Sequence, residues 1–324
     1  MKKGKPVQTS SDYNKKKKSN LTTWLLVLLL LIGAAIMAYP TVSDWWNSFH
    51  ASRAIASYST TVENTDHEKL NAMLEAAHAY NRTLLTKENP YVMTDEDLEE
   101  YRSLLDLSGT GIMGYITIKS IGVYIPIYHG IEESVLQIAV GHLDWTSLPV
   151  GGEGTHAVLS GHRGLPSAKL FTDLDQIKEG DQFSITVLNQ LISYEVDQIR
   201  IVEPGDISEL SIVPGKDYCT LVTCTPYGIN THRMLVRGHR VANESGDLVV
   251  APEAYRIPNY LTIPAVAIPL LFLFLLGMLI YYRINNANMK RNDVYRLIEE
   301  ATEERPSTEK TQTGNTKSRK RRKE

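Results

Sequence analysis

Tyr218-Cys219-Thr220-Leu221-Val222-Thr223-Cys224-Thr225-Pro226-Tyr227-Gly228-Ile229-Asn230-Thr231-His232-Arg233 is the stretch on which the reading of this chain turns. A largely apolar, β-branched run over residues 219–223 predicts a buried strand, and Pro226 and Gly228 predict the turn that ends it. Residues five apart on a strand point to opposite faces, so Cys219 and Cys224, the two cysteines of the chain, are not expected to bridge. Cys219 reads as a packed small hydrophobe. Cys224, at the strand's end, can be held rigidly and still be reached. On residues alone it stands between a second packed thiol and a reactive one. If residues 231–237 are extended, Arg233 and Arg237 share a face and His232 points the other way.

Outward from this stretch, residues 112–240 hold many short β-branched runs separated by Gly, Pro and Asp: 115–118, 123–127, 157–159, 183–188, 192–202, 219–223 and 234–237. Such spacing predicts a small, mainly β domain, a barrel or a sandwich. Short helices are expected near residues 132–139 and 169–175. Upstream, Leu70, Met73, Leu74, Ala77, Tyr80 and Leu84 carry helical spacing over residues 65–85. Thr94, followed by Asp95, Glu96 and Asp97, predicts the N-cap of a second helix running to about residue 105, and Asn89-Pro90 separates the two.

Two uncharged apolar runs flank this region, at residues 21–39 and 261–282, each near the roughly 20 residues a bilayer-crossing helix needs. Pro264 and Pro269 predict a kink early in the second. The first has an alternative as a cleaved signal peptide, with small residues at Ala34-Ala35-Ile36-Met37-Ala38. The net charge of -3 is unevenly spread: residues 1–20 carry +6 and residues 283–324 carry +5, which leaves -14 in the middle. Basic tails beside apolar spans predict both termini in the cytoplasm and the acidic middle outside. The division expected is a basic tail over 1–20, a membrane helix over 21–39, an extracellular helical region over 40–108, the β domain over 109–245, a linker over 246–260, a second membrane helix over 261–282 and a basic tail over 283–324. The cluster at residues 317–323 reads as an orientation or lipid-contact signal rather than a nucleic-acid tail. Residues 1–20, polar and rich in lysine, are expected to lack regular structure.

A cysteine nucleophile needs a proton donor and a group that holds the developing oxyanion. Six histidines fall in the β region, at 129, 142, 156, 162, 232 and 239, and chemistry alone does not choose among them. His162 follows the turn Ser160-Gly161, and His232 is eight positions from Cys224. No histidine pair has a convincing metal-ligand spacing with a nearby cysteine, so no zinc or other metal is expected. Gly151-Gly152-Glu153-Gly154 lacks the Lys-Ser/Thr of a phosphate loop and reads as a turn.

Thr220-Leu221-Val222-Thr223-Cys224 resembles the Thr-Leu-x-Thr-Cys signature of the sortases, transpeptidases of Gram-positive cell surfaces. Ser160-Gly161-His162-Arg163-Gly164 is similar to the segment around their catalytic histidine. The segment from Cys224 to Arg233 resembles the cysteine-to-arginine loop of the class C, pilin-polymerising branch. Gly141-His142-Leu143-Asp144-Trp145 is also familiar there and reads as structural. The likeness covers about residues 110–240. It implies an eight-stranded β-barrel preceded by helices, with flanking membrane helices, and it implies Cys224 as nucleophile, His162 as acid/base and Arg233 as oxyanion or substrate-positioning residue. Class C members carry a lid with an Asp-Pro-aromatic motif. Here Asp106-Leu107-Ser108 stands in its place, so Asp106 is either a guard that pairs with Arg233 or Cys224, or the end of a helix.

The function so implied is cleavage of an LPxTG-like sorting signal between Thr and Gly through a thioester, then joining of pilin subunits through a lysine isopeptide bond. Its partners would be pilins or other surface proteins bearing sorting signals, and the membrane, but not nucleic acid. Alternatives are a housekeeping-type sortase with a cell-wall precursor as acceptor, a membrane-anchored cysteine protease, and a non-enzymatic scaffold with a degenerate barrel.

Overall fold

The computed structural model describes residues 10–87, 89, 91–243 and 259–303, the side chains of 10–23, 259–270, 273, 285, 301 and 303 apart. The expected linker core, the basic cluster at 317–323 and Pro90 of the Asn89-Pro90 break lie outside the described residues.

Eight strands close into one barrel. In chain order they are β1 (Ile112–Ile118), β2 (Val123–His129), β3 (Val140–His142), β4 (Thr155–Ser160), β5 (Gln182–Val187), β6 (Gln190–Val202), β7 (Asp217–Thr225) and β8 (His232–Val241). Around the barrel the order is β1-β2-β3-β4-β7-β8-β6-β5. Two pairs are parallel, β2 with β3 and β4 with β7; the other pairs are antiparallel. Alternation along the strands explains the closure. Ile116, Ile118, Ile185, Leu221 and Val236 are fully buried and fill the barrel, while intervening residues face outward. A small apolar cluster of Val158, Leu210 and Leu235, backed by Trp145, Val202 and Val222, lies on the opposite faces of β4, β7 and β8.

The helices differ from their expected bounds mainly by running further. α1 (Ser10–Glu63) is one helix that passes through Pro40, so residues 10–20, expected to be irregular, are helical. Its last turns bury Ile55, Tyr58 and Val62. Tyr58 Oη donates to Met113 O at 2.8 Å and accepts from Leu188 N–H at 2.7 Å, which ties α1 to the ends of β1 and β5. α2 (His67–Thr86) buries the expected Leu70, Leu74, Ala77, Tyr80 and Leu84, and Asn81 pairs with Leu148 through both its amide atoms, at 2.7 and 3.0 Å. α3 (Asp95–Ser103) begins with Thr94 in a full capping box with Asp97. α4 (Glu133–Leu136) is one turn, shorter than expected, in the β2–β3 connection. The helix expected over 169–175 is a series of turns and a 3-10 turn at Leu174–Gln176. β3, three residues long, was not expected; it has no periodicity to display.

Among the described residues one helix segment, Trp24–Glu63, is long and apolar enough to cross a membrane, and none of its most apolar window is buried. The last helix, α5 (Asn259–Glu303), belongs to a second compact unit. It continues across Pro264 and Pro269 and through residues 283–303, which had been assigned to a tail.

Candidate active site

The strand carrying the quoted stretch is β7, and its motif residues divide between two faces. Leu221 and Cys219 are fully buried in the barrel. Burial pushes the Cys219 thiol far up from its ordinary range, which keeps it protonated and inert. Both cysteines are free thiols, and Cys224, of the opposite parity to Cys219, is partly exposed.

The two threonines of the motif act as staples. Thr220 Oγ1 is 2.7 Å from His156 Nε2, and His156 Nδ1 is 2.9 Å from Ser211 O. A carbonyl only accepts, so Nδ1 carries the proton and Nε2 accepts the threonine hydroxyl. Thr223 Oγ1 donates to Gly161 O at 2.8 Å, and Gly161 N–H donates to Val222 O at 3.0 Å. These last two bonds extend the parallel β4–β7 ladder beyond its final pair, Ser160 with Val222.

That extension positions the candidate histidine. The ladder keeps one offset from Thr155–Asp217 to Ser160–Val222, the same 62 positions that separate Gly161 from Thr223. His162 comes next, directly after this last bonded position, and Cys224 directly follows Thr223 near the end of β7. The loop behind it is fixed closely: Phe171 N–H donates to His162 O at 3.1 Å, and a Cβ on Gly161 would stand 2.7 Å from the Phe171 ring. Only glycine lets the backbone pass that ring.

On the other side of β7, the antiparallel β8 ladder pairs Cys224 directly with Arg233. Paired residues share a face, so Arg233 is the cysteine's cross-strand neighbour and His232, paired with Thr225, has the other parity. Arg233 Nη1 donates to His232 O at 3.1 Å and to Asn230 O at 3.3 Å. Its remaining N–H groups have no protein acceptor among the described residues. A turn of Pro226 O with Ile229 N–H and Asn230 N–H links the strands.

The other histidines are sorted by their surroundings. His142 is fully buried, with Nε2 2.8 Å from Ser147 O and Nδ1 3.0 Å from Tyr101 Oη. Burial lowers its pKa to about 3, so the ring is a neutral structural bridge. His129 lies with Nδ1 3.0 Å from Gly111 O and Nε2 2.7 Å from Leu104 O. His232 is exposed and bonded to Thr231. His239 Nδ1 is 3.9 Å from Asp197, which is held by Arg237. The Gly151–Gly154 turn has no room for a phosphate role: the Gly152 amide donates to Asp217 Oδ2 at 2.8 Å.

Asp106 matches neither expectation. α3 has ended at Ser103, so it does not terminate a helix. Its Oδ1 accepts from Gly111 N–H at 3.0 Å, and among the described residues neither Arg233 nor Cys224 is its partner. It closes a tight loop over 106–111 whose two ends are held by His129.

Sequence reasoning did not single out Arg163 or Glu133. The Arg163 guanidinium is nearly buried, donates to Thr225 Oγ1 at 3.2 Å, pairs with Asp175 and lies 5.9 Å from the Tyr227 ring centre, so it braces the His162 loop against the end of β7. Its place beside His162 was the available signal. Glu133 Oε2 is 3.7 Å from His162 Nε2. Nothing in the sequence marks a contact across that separation.

The model of the sortase domain matches residues 116–241. The fold is similar to the crystal structure of sortase C1 from Streptococcus agalactiae, 50% identical, covering 59% of this chain and 100% of that one with a TM-score of 0.58. The chain belongs to the sortase family. Its barrel is also similar to that of Streptococcus pneumoniae sortase C, 44% identical, covering 59% of this chain and 97% of that one with a TM-score of 0.54, and these matches put this sortase with class C. Sortase A of Streptococcus agalactiae serotype III is more distant, 29% identical over 146 residues, or 44% of this chain and 58% of that protein. The chain spans 58% to 63% of the length of the curated relatives it matches.

Proposed function

We propose that this sortase is a membrane-anchored cysteine transpeptidase that joins pilin subunits. The observation that carries the reading is the pairing of Cys224 with Arg233 through the antiparallel β7–β8 ladder, on a strand whose other neighbour, β4, leads directly into His162. This arrangement supports Cys224 as nucleophile, His162 as acid/base and Arg233 as the cation, all near one end of the barrel.

The mechanism follows from what each group offers. The Cys224 thiolate attacks the Thr–Gly carbonyl carbon of an LPxTG-like sorting signal, and the carbonyl oxygen becomes an oxyanion. The unpartnered N–H groups of Arg233 are permanently charged donors suited to that oxygen. As the intermediate collapses, the C–N bond breaks, and the His162 imidazolium gives its proton to the departing glycine amine. The thioester left on Cys224 is attacked by a lysine amine of the next subunit, His162 takes up the amine proton, and the thiolate leaves. The thioester conserves the free energy of the cleaved amide, so the cycle needs no cofactor. The description of the Streptococcus pneumoniae neighbour refers to pilin substrate specificity, which supports the pilin class as substrate.

The exposed apolar face of α1, including Leu25, Leu29 and Ile36, supports an anchor there. Exposed Phe272, Phe274 and Met278 on α5, in a stretch without charge from residue 257 to 282, support a second. Basic tails on both then favour cytoplasmic termini and an extracellular barrel.

The test incubates the full chain in lipid nanodiscs with a sorting-signal peptide and a pilin domain, and follows Cys224 by intact-mass spectrometry. A thioester adduct and a lysine crosslink are expected from the wild type and neither from Cys224→Ala. A thioester that goes only to hydrolysis products would mark a protease, and an adduct in Cys224→Ala would remove the assignment.

A further inference from the structure

We propose that Glu133 is a positioning residue for His162, a carboxylate that orients the imidazole through an ion pair with its Nε2. The inference rests on the reading of His162 as the acid/base.

Glu133 opens the single turn of α4, and its two oxygens have separate tasks. Oε1 accepts from Gln137 Nε2 one turn further on, which braces the carboxylate. Oε2 is 3.7 Å from His162 Nε2. The neighbouring Glu132 is drawn away by Arg102 at 3.4 Å, so it does not share the task. The groups around the ring come from four places. On the neighbouring strands, β7 carries Cys224 near its end and β8 carries Arg233 as that cysteine's cross-strand partner. Arg163 belongs to its own loop, with the guanidinium directed to Thr225 and Asp175. Further along that loop Lys169 and Asp173 pair with one another at 2.6 Å. Among the described residues Glu133 is the one carboxylate within ion-pair reach of His162.

The chemistry gives this contact a use. A thiolate at Cys224 requires the proton to rest elsewhere, and the carboxylate on the Nε2 side of His162 pairs with the ring that carries it. The arrangement also fixes the ring's orientation, because Nε2 held toward Glu133 leaves Nδ1 for the far side. Glu133 is largely exposed, so the effect is modest and sensitive to salt.

The test compares wild type, Glu133→Gln, Glu133→Asp and His162→Gln as full chains in nanodiscs. Thioester formation on a sorting-signal peptide is measured from pH 5.5 to 9, at low salt and in 0.5 M NaCl. Glu133→Gln is expected to move the alkaline limb of the rate profile down by about half a pH unit and to lower kcat/KM about three- to fivefold there, with KM within about twofold. Glu133→Asp restores part of the shift, and 0.5 M NaCl reduces the difference. A Glu133→Gln profile that superimposes on the wild type at low salt, or one lowered equally at every pH and salt, overturns the proposal while leaving the site as read. Wild-type thioester formation in His162→Gln overturns the reading of the site and the proposal with it.

Discussion

At the scale of single residues, the motif around Cys224 is mostly scaffold. Thr220 and Thr223 spend their hydroxyls on His156 and on Gly161 O, and Leu221 fills the barrel, so four positions are committed before the fifth presents a thiol. Other scaffold residues are buried histidines, and these give the fold a dependence on pH. His142 has its pKa lowered to about 3, chiefly by burial, and His156 is also lowered, again first by burial. The unfolded chain takes up a proton near the ordinary histidine value, and the folded ring does not until far lower pH. Stability is therefore full above about pH 6.5 and declines as pH falls toward about 3. The His142 ring contributes a slope of about 1.4 kcal/mol per pH unit within that window, so its share of the stability lost in urea unfolding between pH 7.5 and pH 5 should be about 2 kcal/mol. His142→Gln should be less stable at pH 7.5 but show a shallower slope. A slope unchanged in that variant would mean that His142 titrates normally in the folded chain.

At the scale of elements, the parallel β4–β7 pair does the assembling, and it was the part least visible in advance. Seven of the eight strands announced themselves through β-branched runs, and Thr94 announced its helix, because period and capping are local properties. The ladder that leads into His162 beside the strand of Cys224 is not local, since β5 and β6 lie between its two strands in sequence. Family resemblance supplied that pairing; spacing did not. Glu133 was invisible for the same reason. The segment over 104–111 shows the converse, where Asp106 is engaged by a partner only five residues on. Its carboxylate holds Gly111 N–H, and His129 holds Leu104 O and Gly111 O. Asp106 thus staples its own loop, and we expect no covering role for it over the thiol. Asp106→Ala should raise the rate of Cys224 alkylation by a charged methanethiosulfonate less than about twofold, while backbone exchange at residues 107–111 accelerates, since one hydrogen bond of about 1 kcal/mol is lost there. A tenfold rise in alkylation would show that Asp106 covers the cysteine after all.

At the scale of the whole molecule, α1 is both the candidate anchor and a wall of the catalytic domain. Asp44 Oδ1 accepts from Lys169 N–H at 2.7 Å, and Asn47 Nδ2 donates to Ser167 O at 2.7 Å. Both partners belong to the loop that begins at His162, and Phe171 of the same loop holds the His162 carbonyl. The helix is continuous from the apolar segment to these contacts, with no joint other than Pro40. At 1.5 Å per residue, Asp44 stands only about 8 Å along the axis beyond Tyr39, the end of the apolar run. If that run spans the bilayer, the histidine loop is tied to the anchor within about two helical turns of the membrane surface. Asp44→Ala with Asn47→Ala should free the loop without unfolding the barrel, because neither residue belongs to the core. In nanodiscs we expect hydrogen exchange to quicken at residues 167–171 and thioester formation to slow about three- to tenfold, as a misplaced acid/base would cause. The unfolding midpoint of the barrel should move little. Unchanged acylation alongside quickened exchange would show that the anchor holds the loop without setting the histidine, and that the two staples serve only to orient the domain on its helix.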